Sequence, residues 1–144
     1  MILPDEEATV RLGAQLARCA RAGDVIALSG PLGVGKTALA RGFIAGLAHL
    51  GEVPSPSFAI VQPYDDLDPP VWHVDLYRIE TASEIDELGL DAAAHAVLLV
   101  EWPERAGANA WPEALRLSLV FGQDGDRSLT AQVPPAWEGR WPPQ

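Results

Sequence analysis

The chain has little cysteine and no long apolar run. Cys19 is the only cysteine among 144 residues, so neither an intrachain disulfide nor a cysteine metal cluster can form. The apolar runs are too short to cross a bilayer, and residues 1–7 lack the basic start and apolar core of a signal peptide. We therefore expect a cytoplasmic protein with no membrane association.

Positive charge is also scarce. Ten Lys and Arg residues stand against twenty Asp and Glu, which leaves a formal net charge of -10. Such a surface repels a phosphodiester backbone, so we expect no direct, stable binding of tRNA, and any link to RNA should run through a partner. A local nucleotide site is still compatible with this charge, because backbone amides and a magnesium ion can balance phosphate oxygens.

The single lysine lies in a glycine-rich motif. Residues 30–37 read Gly-Pro-Leu-Gly-Val-Gly-Lys-Thr and match G-x-x-x-x-G-K-[ST], the phosphate-binding P-loop. Glycines let the backbone wrap around phosphates with its N–H groups inward, and the alternative is a merely tight turn. Residues 24–29 favour a buried strand and residues 38–47 a helix, which is the context that the motif requires. We predict an ATP site formed by Gly30, Leu32, Gly33, Val34, Gly35, Lys36 and Thr37.

Two predicted strands end in an acid. The strand over residues 71–75 ends at Asp75, and the aliphatic run over residues 96–101 ends at Glu101, a Walker-B pattern with Glu in place of Asp. The carboxyl ends of strands in an open α/β sheet meet beside the P-loop. We predict that Thr37 and Glu101 hold Mg²⁺ and that Lys36, Asp75 and Glu101 are the catalytic residues.

Alternatives stay open around these acids. Asp75 could instead form an ion pair with Arg78, and Glu101 could be an ordinary solvated side chain. His73 lies on the same strand face as Asp75, and we favour a hydrogen-bonded structural imidazole over a metal ligand. Trp102 follows Glu101 directly and is either a packing residue or a lid over the nucleotide.

A proline-rich connector follows the predicted P-loop helix. Residues 54–58 read Pro-Ser-Pro-Ser-Phe and cannot be helical, because each proline pushes its predecessor towards extended geometry. In P-loop proteins the loop after the first helix commonly responds to the terminal phosphate and magnesium. We predict that Ser55 and Ser57 form such a switch, with a plain connector as the alternative.

The whole pattern predicts an α/β protein with a single-domain P-loop fold. We expect a mostly parallel sheet flanked by helices, with a C-terminal β-hairpin, over residues 1–133. Residues 134–144 are rich in proline and tryptophan, so we expect a loosely ordered tail. The further predicted elements are helices over 4–20 and 81–88, the second with a Thr81–Glu84 capping box, and strands over 58–64, 115–121 and 128–133.

Five segments together resemble the TsaE (YjeE) family of bacterial ATPases. They are Leu-Pro-Asp-Glu-Glu at 3–7, the P-loop at 30–37, Ser-Pro-Ser-Phe at 55–58, His-Val-Asp-Leu-Tyr-Arg at 73–78 and Leu-Val-Glu-Trp-Pro-Glu-Arg at 99–105. The resemblance covers residues 3 to 130. It implies a single-domain protein that hydrolyses ATP with Mg²⁺ and works with TsaD and TsaB in threonylcarbamoyladenosine modification of tRNAs that read codons starting with A.

The same resemblance implies roles for individual residues. Lys36 would hold phosphates, Thr37 and Glu101 would serve magnesium, and Asp75 would be the second essential carboxylate. It places Ser55 to Ser57 in the switch and Glu6 near the adenine. The chain departs from the family pattern at Pro31, Ala38 and Ser57; Ala38 lacks a hydroxyl that could bond phosphate.

Two other functions compete with this one. A small-molecule kinase also pairs a P-loop with a chain of this size, but it usually needs an arginine-rich lid, and no stretch here clusters arginines. A nucleotide-gated docking module would bind ATP without hydrolysing it. No arginine lies in a segment that obviously reaches the γ-phosphate, so we expect a slow ATPase that a partner stimulates.

Overall fold

The computed structural model describes residues 1–47, 60–107 and 109–143. The helices are α1 (Glu6–Cys19), α2 (Lys36–Gly46) and α3 (Ala82–Asp86), and the strands are β1 (Ile2–Leu3), β2 (Val25–Ser29), β3 (Val61–Tyr64), β4 (Val71–Asp75), β5 (Val97–Glu101), β6 (Leu115–Phe121) and β7 (Arg127–Gln132). One 3-10 turn follows α3 at Leu90–Ala93, a second follows β5 at Pro103–Ala106 and a third lies at Pro135–Trp137.

The strands form one seven-stranded sheet in the order β1-β7-β6-β2-β5-β4-β3. The inner strands β6, β2, β5 and β4 run parallel, and β3, β7 and β1 pair antiparallel at the two sides. The predicted α/β fold is therefore confirmed, including the mostly parallel sheet and the C-terminal hairpin of β6 and β7.

Apolar layers cover both faces of the sheet, and β5 shows why its sequence is one aliphatic run. Its alternate side chains point to opposite faces, so Val97 and Leu99 join the core under α1 and α2. Leu98 and Val100 join a second core on the other face. A strand buried on both faces needs apolar residues at every position, and the Glu101 carboxylate ends this run at the edge where the site forms.

Helices α1 and α2 pack with their backbones in contact. A Cβ atom on Gly42 would overlap the carbonyl oxygen of Val10, and one on Gly13 would overlap that of Leu39. Only glycine permits this approach. The crossing brings the first turn of α1, which includes Glu6, beside the P-loop and the start of α2.

The C-terminal tail packs against the domain. Trp137 is fully buried, and the guanidinium of Arg140 lies 4.0 Å from its ring and donates to the Asp24 carboxylate at 2.7 and 3.0 Å. The expectation of a loosely ordered tail is therefore wrong for residues 134–143. Prolines prevent regular helix or strand there, but a buried indole removes enough apolar surface from water to hold the segment in place.

Element bounds differ from the predictions mainly at the ends. The strand expected over residues 58–64 runs from Val61 in the described part of the chain. The helix expected over 81–88 is the shorter α3, and its Glu84 carboxylate accepts the Thr81 N–H at 3.0 Å, as the capping box predicts.

Two further expectations concern the predicted switch and membrane association. Ser55 and Ser57, the predicted switch, lie outside the described residues. No helix in the described parts of the chain is long and apolar enough to span a membrane.

Candidate nucleotide site at the P-loop

The P-loop connects the end of β2 to the start of α2, as its sequence predicts. Gly30 and Gly35 have φ values of +144° and +121°, in the region that favours glycine. A Cβ on Gly30 would also overlap the carbonyl oxygen of Leu119. The backbone conformation of the loop therefore requires glycine at both positions.

Lys36 begins α2 and folds back over the loop. Its Nζ donates to the carbonyls of Gly30 and Pro31, the second at 3.1 Å, and lies 4.0 Å from the centre of the Trp102 ring. Burial lowers the pKa of this ammonium below its ordinary value of 10.5, and nearby carboxylates, Glu101 first, oppose that shift. The only lysine of the chain is thus a largely desolvated cation in the wall of the cavity beside the P-loop.

Thr37 and Glu101 meet directly. The Thr37 hydroxyl donates to the Glu101 carboxylate, with its Oγ1 2.9 Å from Oε1 and 3.2 Å from Oε2. His73 approaches the same carboxylate, with Nε2 2.7 Å from Oε2, and both side chains are buried. The hydrogen bond predicted for the His73 imidazole is therefore present, and Glu101 is not a solvated surface side chain.

The sheet register brings Asp75 beside Glu101. Asp75 of β4 pairs with Glu101 of β5, and Glu101 also pairs with Leu28 of β2, shortly before the P-loop. The Asp75 residue is 7% exposed, and its carboxylate accepts the N–H of Tyr77 at 2.9 Å. Because parallel strands end at the same edge, both acids lie where sequence reasoning expects them.

These groups line one cavity of about 320 Å³. Gly30 and Val34, which were also predicted to bind nucleotide, are not part of its wall. Gly30 contributes its carbonyl to Lys36, and the Val34 side chain is fully buried in the core. The predicted residues that the cavity brings together are Glu6, Leu32, Gly33, Gly35, Lys36, Thr37, Asp75, Glu101 and Trp102.

Sequence reasoning missed Arg41 and Tyr77, which also line the cavity. Helical periodicity offered a signal for Arg41, because it lies one turn after Thr37 on α2. Tyr77 follows β4 and packs against Trp102 with ring centres 4.9 Å apart. Arg41 therefore brings a guanidinium of α2 into the wall of the predicted phosphate site, whereas the sequence expectation was that no arginine segment obviously reaches the γ-phosphate.

The donors at the inner end of the cavity are hard oxygens. Thr37 and Glu101 provide a hydroxyl and a carboxylate in contact, which suits Mg²⁺. In the part of the chain that the structure describes, no three His, Cys, Asp or Glu side chains cluster in a way that could hold a metal ion. A Mg²⁺ ion at this position would need phosphate oxygens of a nucleotide and water molecules to complete its coordination shell. This is the usual arrangement for Mg²⁺ bound with a nucleotide.

Comparison with known proteins gives one consistent result. Residues 3–129 match the family model described as threonylcarbamoyl adenosine biosynthesis protein TsaE. The tRNA threonylcarbamoyladenosine biosynthesis protein TsaE of Bacillus subtilis is 38% identical over 126 residues, which cover 86% of this chain and 78% of the relative. Its namesake from Streptomyces coelicolor is 42% identical over 112 residues, which cover 75% of this chain and 76% of the relative.

A solved structure agrees with the sequence matches. The crystal structure of YdiB from Bacillus subtilis superposes with a TM-score of 0.81 at 31% identity, covering 96% of this chain and 88% of that one. The span matched by the family model contains the P-loop and both acids. The chain therefore belongs to the TsaE family of tRNA threonylcarbamoyladenosine biosynthesis proteins.

Proposed function

We propose that this protein binds ATP with Mg²⁺ in the P-loop cavity and hydrolyses it slowly, in support of tRNA threonylcarbamoyladenosine biosynthesis. The observation that carries the proposal is the contact between the Thr37 hydroxyl and the Glu101 carboxylate, 2.9 Å apart, next to the buried Lys36 ammonium. A P-loop hydroxyl and a strand-end acid form the usual magnesium pair of P-loop NTPases.

The residues of the loop would bind the phosphates. The N–H groups of Gly33 and Gly35 would donate to phosphate oxygens, and the Lys36 ammonium would leave its carbonyl partners to pair with them. Thr37 and Glu101 would hold Mg²⁺, which when bound neutralises charge on the phosphates. Glu6 also lines the cavity and would border the base.

The two acids have different surroundings, which suggests different tasks. Glu101 already contacts the Thr37 hydroxyl and would order the metal. Asp75, held by the Tyr77 N–H at 2.9 Å, would orient the attacking water and accept its proton. Trp102 covers the Lys36 ammonium at 4.0 Å, so its ring would move as phosphates enter and would act as a lid.

The proposed partners and location rest on the family resemblance rather than on the cavity. We propose that the protein acts in the cytoplasm with TsaD and TsaB, and that Ser55 and Ser57 form the segment that responds to the nucleotide. With a net charge of -10, the protein would reach tRNA through these partners and not directly. We infer that the protein alone turns over far below about 1 s⁻¹ and that docking of a partner accelerates hydrolysis.

Isothermal titration calorimetry with Mg-ATP and Mg-ADP tests the site. We expect the wild type to bind nucleotide and Lys36→Ala not to bind it. The control is Arg116→Gln, which should bind like the wild type, because Arg116 donates to the carbonyls of Ala110 and Trp111. Glu101→Gln should bind nucleotide but lose the magnesium dependence. Absence of heat with the wild type in the presence of Mg²⁺ would contradict the proposal.

Reconstituted tRNA modification tests the function. Wild-type protein should sustain repeated cycles with TsaD, TsaB and their substrates, and Lys36→Ala should not. If Glu101→Gln binds ATP without hydrolysing it and still sustains many cycles, the protein is a nucleotide-gated docking module. Efficient transfer of phosphate from ATP to a small metabolite, with little hydrolysis, would instead identify a kinase.

A further inference from the structure

Arg127 contacts the P-loop from outside the cavity. It is the first residue of β7, and its Nε donates to the Val34 carbonyl at 2.7 Å. Its Nη1 donates to the carbonyl of Gly125, in the turn of its own hairpin, at 3.0 Å. The residue does not line the cavity. A charged hydrogen bond thus joins the C-terminal hairpin to the phosphate loop. The proposed function assigns no role to this bond.

The bond constrains one peptide group of the loop. In a trans peptide the C=O and N–H bonds point in opposite directions, so a Val34 carbonyl that faces Arg127 turns the Gly35 N–H away from Arg127. A Cβ built on Gly35 would lie 3.5 Å from Arg127 Nε, whereas Gly35 itself also lines the cavity. Gly35 therefore adjoins both the guanidinium and the cavity, and its N–H points away from the guanidinium.

Without this bond, no hydrogen bond shown for the described residues would fix the Val34–Gly35 peptide in that orientation. Gly35 has a φ of +121°, and glycine adopts positive and negative φ about equally readily. Rotation of the peptide between Val34 and Gly35 would turn the carbonyl oxygen towards the phosphates and the N–H away from them. In the described parts of the chain, no backbone group accepts a hydrogen bond from the Gly35 N–H, so no backbone hydrogen bond on that side opposes the rotation.

We propose that Arg127 is a positioning residue for nucleotide binding: it holds the Val34–Gly35 peptide so that the Gly35 N–H faces the phosphates. The inference rests on the proposed function of the loop as a phosphate site. A guanidinium is a strong donor to a carbonyl and stays charged at every physiological pH. Nucleotide affinity then depends on the β6–β7 hairpin, although no hairpin side chain needs to contact the nucleotide.

Matched arginine variants test this role. Arg127→Gln should raise the Kd for Mg-ADP about tenfold, which corresponds to about 1.4 kcal/mol, and leave kcat at saturating Mg-ATP unchanged. Arg127→Lys keeps a donor and should recover most of the affinity. The control is Arg116→Gln on neighbouring β6, whose arginine also donates to backbone carbonyls and which should bind Mg-ADP like the wild type.

The outcomes separate the two proposals. If the wild type does not bind Mg-ADP, the proposed function fails, and this inference with it. If the wild type binds and folded Arg127→Gln binds equally well, with or without a lower melting temperature, Arg127 only stabilises the hairpin and this inference alone is overturned.

A measurement on the unmodified protein decides the matter even if Arg127→Gln does not fold. In ¹H–¹⁵N spectra of the wild type, addition of Mg-ADP should shift the Gly35 amide resonance downfield and slow its hydrogen exchange. If the other P-loop amides respond and Gly35 does not, the Gly35 N–H does not face the phosphates, and the role assigned to Arg127 is wrong.

Discussion

His73 and Glu101 form a buried pair that joins β4 to β5, with the imidazole Nε2 2.7 Å from the carboxylate Oε2. The other carboxylate oxygen faces the hydroxyl of Thr37 at 2.9 Å. Glu101 is therefore held from two sides, by a strand on one and by the P-loop helix on the other. The orientation of the acid is therefore set by contacts within the fold.

Replacement of His73 by phenylalanine should destabilise the protein. The change leaves a buried carboxylate without one of its donors, which costs roughly 1–3 kcal/mol, measurable by urea denaturation. Mg²⁺ should then raise the melting temperature of the variant less than that of the wild type in the presence of nucleotide. His73→Asn, which keeps an N–H donor, should recover part of both losses.

The control for this variant is His95→Gln, because His95 is 54% exposed and lies 3.6 Å from an exposed carboxylate. An exposed pair of this kind contributes little to stability, so the change should be nearly neutral. Equal stability of His73→Phe and the wild type would show that the buried contact does not hold Glu101.

Gly42→Ala should disturb the packing of α1 on α2. The new methyl group would overlap the Val10 carbonyl, and overpacking of this kind costs roughly 1–3 kcal/mol in unfolding free energy. Displacement of α1 would also move Glu6 from the cavity and weaken nucleotide binding. Ala45→Ser, at an exposed position of the same helix, should leave both the melting temperature and the affinity unchanged. A neutral Gly42→Ala would contradict the backbone contact.

Trp137→Ala tests whether the tail belongs to the domain. Removal of a fully buried indole should cost roughly 3–5 kcal/mol, seen as a large fall in the denaturation midpoint. Val133→Ala, 39% exposed, is the control and should be close to neutral. A chain that ends at residue 133 and is as stable as the full-length protein would show that the tail is dispensable.

The Cys19 thiol should react slowly near neutral pH. Burial raises its pKa above the ordinary value of 9.0, and the nearby Arg140 guanidinium opposes the shift only in part. The folded state therefore favours the neutral thiol, and the stability linked to this group is present below pH 9.0 and is lost as pH rises through the raised pKa. Iodoacetamide labelling followed by mass spectrometry should be slower than for glutathione at each pH; an equal rate would contradict the shift.

Several features of the site were predictable because they depend on short stretches of chain. The P-loop consists of eight consecutive residues, 30–37, so its glycines, lysine and threonine can be recognised from a local motif. The aliphatic run before Glu101 predicts a strand buried on both faces, and the order of strands in a parallel sheet places its last residue at the site edge.

Other features depend on residues far apart in the sequence, and no local pattern reports them. Arg127 and Val34 are 93 residues apart, and only the path of the sheet brings them together. The sequence predicts a loose tail around Trp137, because the neighbouring prolines disfavour regular helix and strand. They carry no information about the distant residues that bury the indole ring.

By itself, therefore, the sequence determined the strand–loop–helix unit, the acids at the strand ends and the family. Tertiary structure decided the partners of these groups: the imidazole that holds Glu101, the arginine that holds the loop and the core that holds the tail. The physical reason is that backbone preference and hydrophobic period act within a few residues, whereas burial and hydrogen bonding are settled by whichever segments the topology makes neighbours.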